Sequence, residues 1–218
     1  MLNLMTNFSS MLAENSELQE ALSLFAVTFL VSGILGLLLY IFNGIGLMKM
    51  SNSLGLKNGW ISFIPVANIY ALGRVAQNYV KKDGRKSAKL GAALLTLYII
   101  MFVVSIVFFV FLGIALVSVF QYASSAVLDN STMNIEMFSS FIPVIVFYFV
   151  FMAVAIAYIV VYYVALYKIF DMFSNHGVLF VVLSIFFTSL APIFIFAIRN
   201  SAPKRTYEER LGITLSNE

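Results

Sequence analysis

The sequence predicts an all-α polytopic membrane protein with three spanning helices and one or two Pro-broken re-entrant or interfacial segments. Two observations carry this. Of 218 residues 61% are hydrophobic and 11% charged, where a soluble domain has about a quarter of its residues charged. Every Lys and Arg falls in one of three places, and the uncharged intervals between them match the thickness of a bilayer. A water-soluble globule with so few charges would expose large apolar patches, so lipid is the expected solvent.

Before Lys49 there is no basic residue, and none occurs between Lys89 and Lys168. The first span is residues 21–48, 28 residues long; at 1.5 Å per residue this exceeds the roughly 30 Å of hydrocarbon. Asn15 or Ser16 can cap it, Gln19 completes a capping box, and Glu17 and Glu20 suit the positive helix end. The helix is therefore expected to begin near Glu17. Residues 90–120 and 141–167 form the second and third spans, both uncharged.

Orientation follows from the loops. Residues 49–89 carry eight Lys or Arg against Asp83 alone, whereas residues 121–140 carry Asp129 and Glu136 with no Lys or Arg. The basic loop is expected in the cytoplasm, and the acidic loop and the N-terminus outside. No basic n-region precedes the first span, so a cleaved signal peptide is not expected. Met1, Leu2, Leu4, Met5, Phe8, Met11 and Leu12 make the N-terminal segment either an interface-bound stretch or a disordered tail.

Two segments resist simple counting. Residues 177–198 are long enough to cross, but a fourth span would leave Arg199, Lys204, Arg205 and Arg210 outside, against the positive-inside bias. Pro192 offers a break, which predicts a re-entrant hairpin and a cytoplasmic tail 199–218, with a kinked fourth span as the alternative. Residues 60–72 are too short to cross. Trp60 and Tyr70 favour the headgroup level, Pro65 interrupts a helix, and Asn68 needs a hydrogen-bond partner if immersed.

The ends of the first and third spans read alike: Gly46-Leu47-Met48-Lys49-Met50 beside Ala165-Leu166-Tyr167-Lys168-Ile169. Each is followed by a small turn (Asn58-Gly59, His176-Gly177), an apolar run containing Pro65 or Pro192, and then Arg74 or Arg199. The pattern is that of a parallel repeat about an axis along the membrane normal; chance likeness between apolar sequences is the competing explanation.

The stretch Gly46-Leu47-Met48-Lys49-Met50 and the segment Trp60-Ile61-Ser62-Phe63-Ile64-Pro65-Val66-Ala67-Asn68-Ile69-Tyr70 resemble those of uncharacterised bacterial multipass membrane proteins. Those proteins carry a Trp-x-x-x-Ile-Pro-x-x-Asn-x-Tyr segment after a first span. The closing Ile198-Arg199-Asn200 is similar to theirs as well. The resemblance implies a bacterial plasma membrane and no particular activity.

Chemistry is sparse. Cysteine is absent, and no ionisable Asp, Glu, Lys, Arg or His lies within the three spans, where proton or ion coupling usually needs one. His176 is the one histidine and Asp171 the nearest acid, so a hydrolytic dyad or metal site would rest on a single turn. A solvated interfacial histidine is the ordinary reading. Asn43, Asn68 and Thr188 are the polar residues expected either to bind a substrate or to pack helices; Thr28, Ser32, Thr96 and Ser105 are expected to bond or pack between helices, with Ser32 and Gly36 a small-xxx-small pair. Tyr158, Tyr162, Tyr163 and Tyr167 read as an aromatic belt. Lys81, Lys82, Arg85, Lys86 and Lys89 are candidate contacts for anionic headgroups, nucleic acid being an unexpected partner in that position. Asn130-Ser131-Thr132 fits a glycosylation acceptor, a match common by chance.

No cofactor is expected. The leading expectation is a non-enzymatic accessory, assembly or interaction factor, binding an unknown membrane protein or a second copy of itself. The alternative is a small translocator of a lipid or uncharged solute, with the two Pro-broken segments facing each other. Burial of Asn68 and Thr188 around a shared cavity would favour translocation, and cavity-free packing the interaction factor.

Overall fold

A computed structural model describes residues 16–80, 89–129 and 141–204. Three long helices, α1 (Ser16–Ser53), α3 (Leu90–Asp129) and α4 (Ile142–Phe173), are long and apolar enough to cross a bilayer, and the chain is a multipass membrane protein. Four short elements complete it: a 3-10 segment Gly59–Phe63, α2 (Pro65–Ala76), α5 (Gly177–Phe186) and α6 (Leu190–Ala197), with a closing 3-10 turn Ile198–Asn200. All described regular structure is helical, as a lipid solvent demands when no barrel closes.

The long helices outrun the uncharged runs. α4 continues past residue 167 through Lys168 and Asp171 to Phe173, and α3 continues past residue 120 to Asp129. A helix satisfies its own backbone in water as in lipid, so the bilayer boundary does not end it. The expected loop 121–140 is thus helical in its first part, and residues 130–140 lie outside the described residues.

α3 and α4 pack along their length, antiparallel, through ring pairs Tyr98–Tyr158, Phe108–Phe151 and Phe111–Phe147. α1 does otherwise. Every residue from Gln19 to Leu38 is exposed, and among the described residues it is the last third of α1 that meets other elements, chiefly α6, α2 and the first 3-10 segment. Apart from Ala115 and Val144, between α3 and α4, the buried residues gather at the end where α1 and α4 finish and α3 begins, here called the base. Leu47, Met50, Leu72, Val75, Leu94, Leu166, Phe170 and Ile195 form its core.

Two short hairpins build that base, each leaving it and returning. The chain reverses after α1 at Asn58, in the left-handed region with φ 64°, and Gly59 then lies where a Cβ would fall 2.7 Å from Asn52 Oδ1. The 3-10 segment climbs α1 until the Tyr40 hydroxyl donates to the Phe63 carbonyl at 2.7 Å. Pro65 opens α2, where its missing N–H costs nothing, and α2 descends until Arg74 donates to the Lys57 carbonyl at 3.2 Å.

The second hairpin repeats the plan. Gly177 packs on α4 with a Cβ position 2.6 Å from the Asp171 nitrogen, α5 climbs until the Tyr163 hydroxyl donates to the Ser184 carbonyl at 3.1 Å, and α6 returns. Rings of Phe170, Phe180 and Phe194 tie the three passes together, and the Lys204 N–H reaches the Met172 carbonyl at 2.8 Å. The run 177–198 is therefore two helices of 10 and 8 residues rather than one long helix. Its break lies at Phe187–Ser189, before Pro192, which stands in the first turn of α6 where a donor is dispensable. The interruption expected at Pro192 is corrected to the residues preceding it.

The likeness between the two halves extends to contacts. Each turn glycine presses on the long helix before it, at Asn52 and at Asp171, which follow Gly46 and Ala165 by equal intervals. Arg74 stacks over Tyr70 and Arg199 over Phe196, each at the end of its hairpin. Each long helix also packs on a return helix of the other half, α1 on α6 and α4 on α2. The longer second copy is accounted for mainly by α5, 10 residues against the five of the 3-10 segment.

Backbone contact closes the base at Gly73, where a Cβ would lie 2.5 Å from the Gly91 Cα. Neither backbone can yield, so Gly73→Ala is expected to cost about 1–3 kcal/mol or more. Gly36 has nothing within 4 Å, and Gly36→Ala is expected to stay within about 0.5 kcal/mol. Thermal unfolding in detergent micelles compares them, and equal melting temperatures would refute the close approach.

Candidate functional site

A polar node lies between α1 and the first hairpin. Asn68, buried on α2, donates through Nδ2 to the Ser62 carbonyl at 2.5 Å and accepts from Asn43 Nδ2 of α1 at 3.0 Å. The carbonyl fixes both amide orientations. A carbonyl accepts only, so Asn68 must turn its nitrogen to Ser62 and its oxygen to Asn43, which in turn must present its nitrogen. Asn43 Oδ1 is thereby directed away, and it and the Ser62 hydroxyl are buried without a hydrogen-bond partner. With Tyr40 on Phe63, the node fastens the hairpin to α1 at two levels. Chemically it offers one acceptor and one hydroxyl, and no group that titrates near neutrality.

Thr188, grouped with Asn68 in the translocation alternative, is not buried as Asn68 is. It lies exposed at the tip of the second hairpin, between Phe187 and Ser189, which are exposed too. Both hairpins face the base core, and of the two residues grouped as a polar pair Asn68 is buried and Thr188 exposed. Ser62 and Ser184, fully buried in the climbing limb of each hairpin, escaped the sequence reading. The signal was a single serine within each climbing limb, 59–63 and 177–186.

Other expectations are revised. Ser105 bonds its own helix at the Phe102 carbonyl, and Thr28, Ser32 and Thr96 are exposed. Among the described residues the Ser32–Gly36 pair has no close helix contact: Ser32 is exposed and no atom comes within 4 Å of a Cβ built at Gly36. Of the tyrosines expected as an interfacial belt, Tyr167 is exposed, while Tyr158, Tyr162 and Tyr163 pack against the core. Tyr158 stacks on Tyr162 and meets Tyr98, and Tyr163 bonds to α5, all against the core. Lys89 is exposed at the start of α3; Lys81, Lys82, Arg85 and Lys86 lie outside the described residues, as do Arg205 and Arg210.

At the base a second polar group forms around the end of α4. Asp171 accepts from the Tyr79 hydroxyl at 3.0 Å, joining the segment after α2 to α4 across the base. The Lys204 ammonium donates to Asn175 Oδ1 and, at 3.4 Å, to the Ser174 carbonyl. His176 is exposed, with its backbone N–H on the Ser174 hydroxyl at 3.1 Å. Among the described residues no three His, Cys, Asp or Glu side chains are grouped as a metal site.

No protein-family model, curated protein or solved structure matches the chain.

Proposed function

We propose that this protein is a non-enzymatic accessory or assembly factor of a bacterial plasma membrane, acting by binding another membrane protein or a second copy of itself through the outer part of α1. The supporting observation is that α1 from Gln19 to Leu38 is exposed along its whole length among the described residues, while the amides of the adjoining hairpin are committed to bonds that hold α1 in place. In this reading the base faces the cytoplasm, the basic loop 49–89 and the tail lie there, and the N-terminus lies outside. Both hairpins enter the bilayer from the base side as re-entrant segments. Exposed Val178, Leu179, Phe186 and Phe187 support immersion of the second, since water would not tolerate that surface.

A photo-crosslinking residue at Ser32 tests this. Protein adducts are expected from Ser32 and none from buried Leu47, their mass separating a second copy from a different partner. Lipid adducts alone at Ser32 would refute the reading.

Translocation of a lipid or uncharged solute is the second reading, favoured by the two near-equivalent hairpins and by the unpaired Asn43 Oδ1 and Ser62 hydroxyl. Reconstituted flux of such a solute, abolished by Asn43→Leu, would favour it over the first.

A further inference from the structure

The two halves share a helix interface that the described residues fill in one half only. α3 lies along α4 through Phe147, Phe151 and Tyr158, beside buried Val144. In the register that pairs Gly46 with Ala165, the same face of α1 carries Phe25, Thr28, Ser32 and Leu39, with Gly36 in the place of half-buried Ala155. Among the described residues this face is exposed from Phe25 to Gly36, and no atom lies within 4 Å of a Cβ built at Gly36. α4 leaves its opposite face open at Phe149, Ala153 and Ile156, whose counterparts on α1 are Leu30, Ile34 and Leu37. The two faces of α1 differ in the same sense. Thr28, Ser32 and Gly36, four residues apart, stand where the repeat is covered, and branched apolar side chains stand where it is open. Lipid on both sides gives no reason for that sorting, whereas close packing of helices does. The covered face of the other half, rather than the small residues themselves, places the interface.

Resting on the reading that α1 binds a partner through its outer part, we propose that this face seats one transmembrane helix of a different protein. That helix runs antiparallel to α1 with its N-terminal end at the base, as α3 runs against α4. The small side chains let the two backbones approach. The hydroxyls of Thr28 and Ser32, which make no hydrogen bond among the described residues, are donors for polar groups of the arriving helix. A second copy does not fit. Its α1 would run parallel in the same membrane, and its α3, which has the required direction, lies across the repeat axis from its own seat. Joining α3 to seat would therefore propagate as an open row rather than close as a dimer.

The test places a photo-crosslinking residue in the full chain at Phe25, Leu35 or Leu39, on the seat, and at Leu30, Ile34 or Leu37, opposite it. After irradiation in the native membrane, adducts are read by peptide mass spectrometry. Seat positions are expected to give protein adducts about tenfold above the opposite positions. They should go to a single protein other than this chain, its crosslinked residues following in reverse order to those of α1. Gly36→Leu should lower these adducts about tenfold. Gly33→Leu is the control, equally open at its Cβ but placed where α4 has exposed Met152, and should leave them within about twofold. Adducts shared equally by both faces, a partner order running with α1, a second copy as the partner, or Gly36→Leu behaving as Gly33→Leu would each overturn the seat and leave the reading of α1 standing. Lipid adducts alone at every position, or adducts within one copy of the chain, would overturn both.

Discussion

Asn68→Ala is expected to lower stability in mixed micelles by about 2–4 kcal/mol, read from a denaturant titration. The side chain is the centre of the node: its loss strands together the buried Ser62 carbonyl and the half-buried Asn43 amide, where the hairpin meets α1. Leaving a buried partner unsatisfied costs about 1–3 kcal/mol, more than the net worth of the bond itself. Asn43→Ala should cost less. It removes the donor together with its own unpaired oxygen and leaves only Asn68 Oδ1 without a partner. Tyr40→Phe, losing one bond to the Phe63 carbonyl, should fall lowest, at about 0.5–1.5 kcal/mol. If Asn43→Ala proves as damaging as Asn68→Ala, the node is not organised as described.

The second large effect is all-or-none. A phosphatase active only outside the cytoplasm, fused after Glu218, is expected to stay inactive, while a fluorescent protein that folds only inside is expected to be bright. The motive combines charge and geometry. Arg199, Lys204, Arg205 and Arg210 follow the second hairpin, and the positive-inside bias places them in the cytoplasm. Independently, the Lys204 N–H bonds to the Met172 carbonyl, so the chain before and after residues 177–198 lies at one end of the bundle. Helices of 10 and 8 residues rise about 15 and 12 Å, half of the hydrocarbon thickness or less. The same reporters inserted at Gln77 should agree with those at the C-terminus, because Arg74 returns to the Lys57 carbonyl. Active phosphatase after Glu218 would require that the base geometry is lost in the membrane.

Composition and charge spacing by themselves determined that the chain is helical, that it belongs in lipid, and that three runs can span. These follow from solvent physics, since a backbone in hydrocarbon must bond within its own helix and charges must stay outside. The likeness of the two halves was also legible, at Lys49 and Lys168, at Gly59 and Gly177, and at Arg74 and Arg199. What only the tertiary structure decided is who packs against whom. Apolar side chains are interchangeable to a sequence pattern, so nothing in residues 19–38 revealed that α1 stands apart there while α3 and α4 pair. Nor could spacing place the second break before Pro192, because the tip is set by the reach of α5 along α4 and by Tyr163 on Ser184. Asn68 was recognisable as a group in need of a partner, but its partners, 25 residues back in Asn43 and six back in Ser62, are neighbours only because the hairpin folds against α1. Thr188 carried the same sequence signal and lies exposed, since polarity marks the need for a partner and folding alone assigns one.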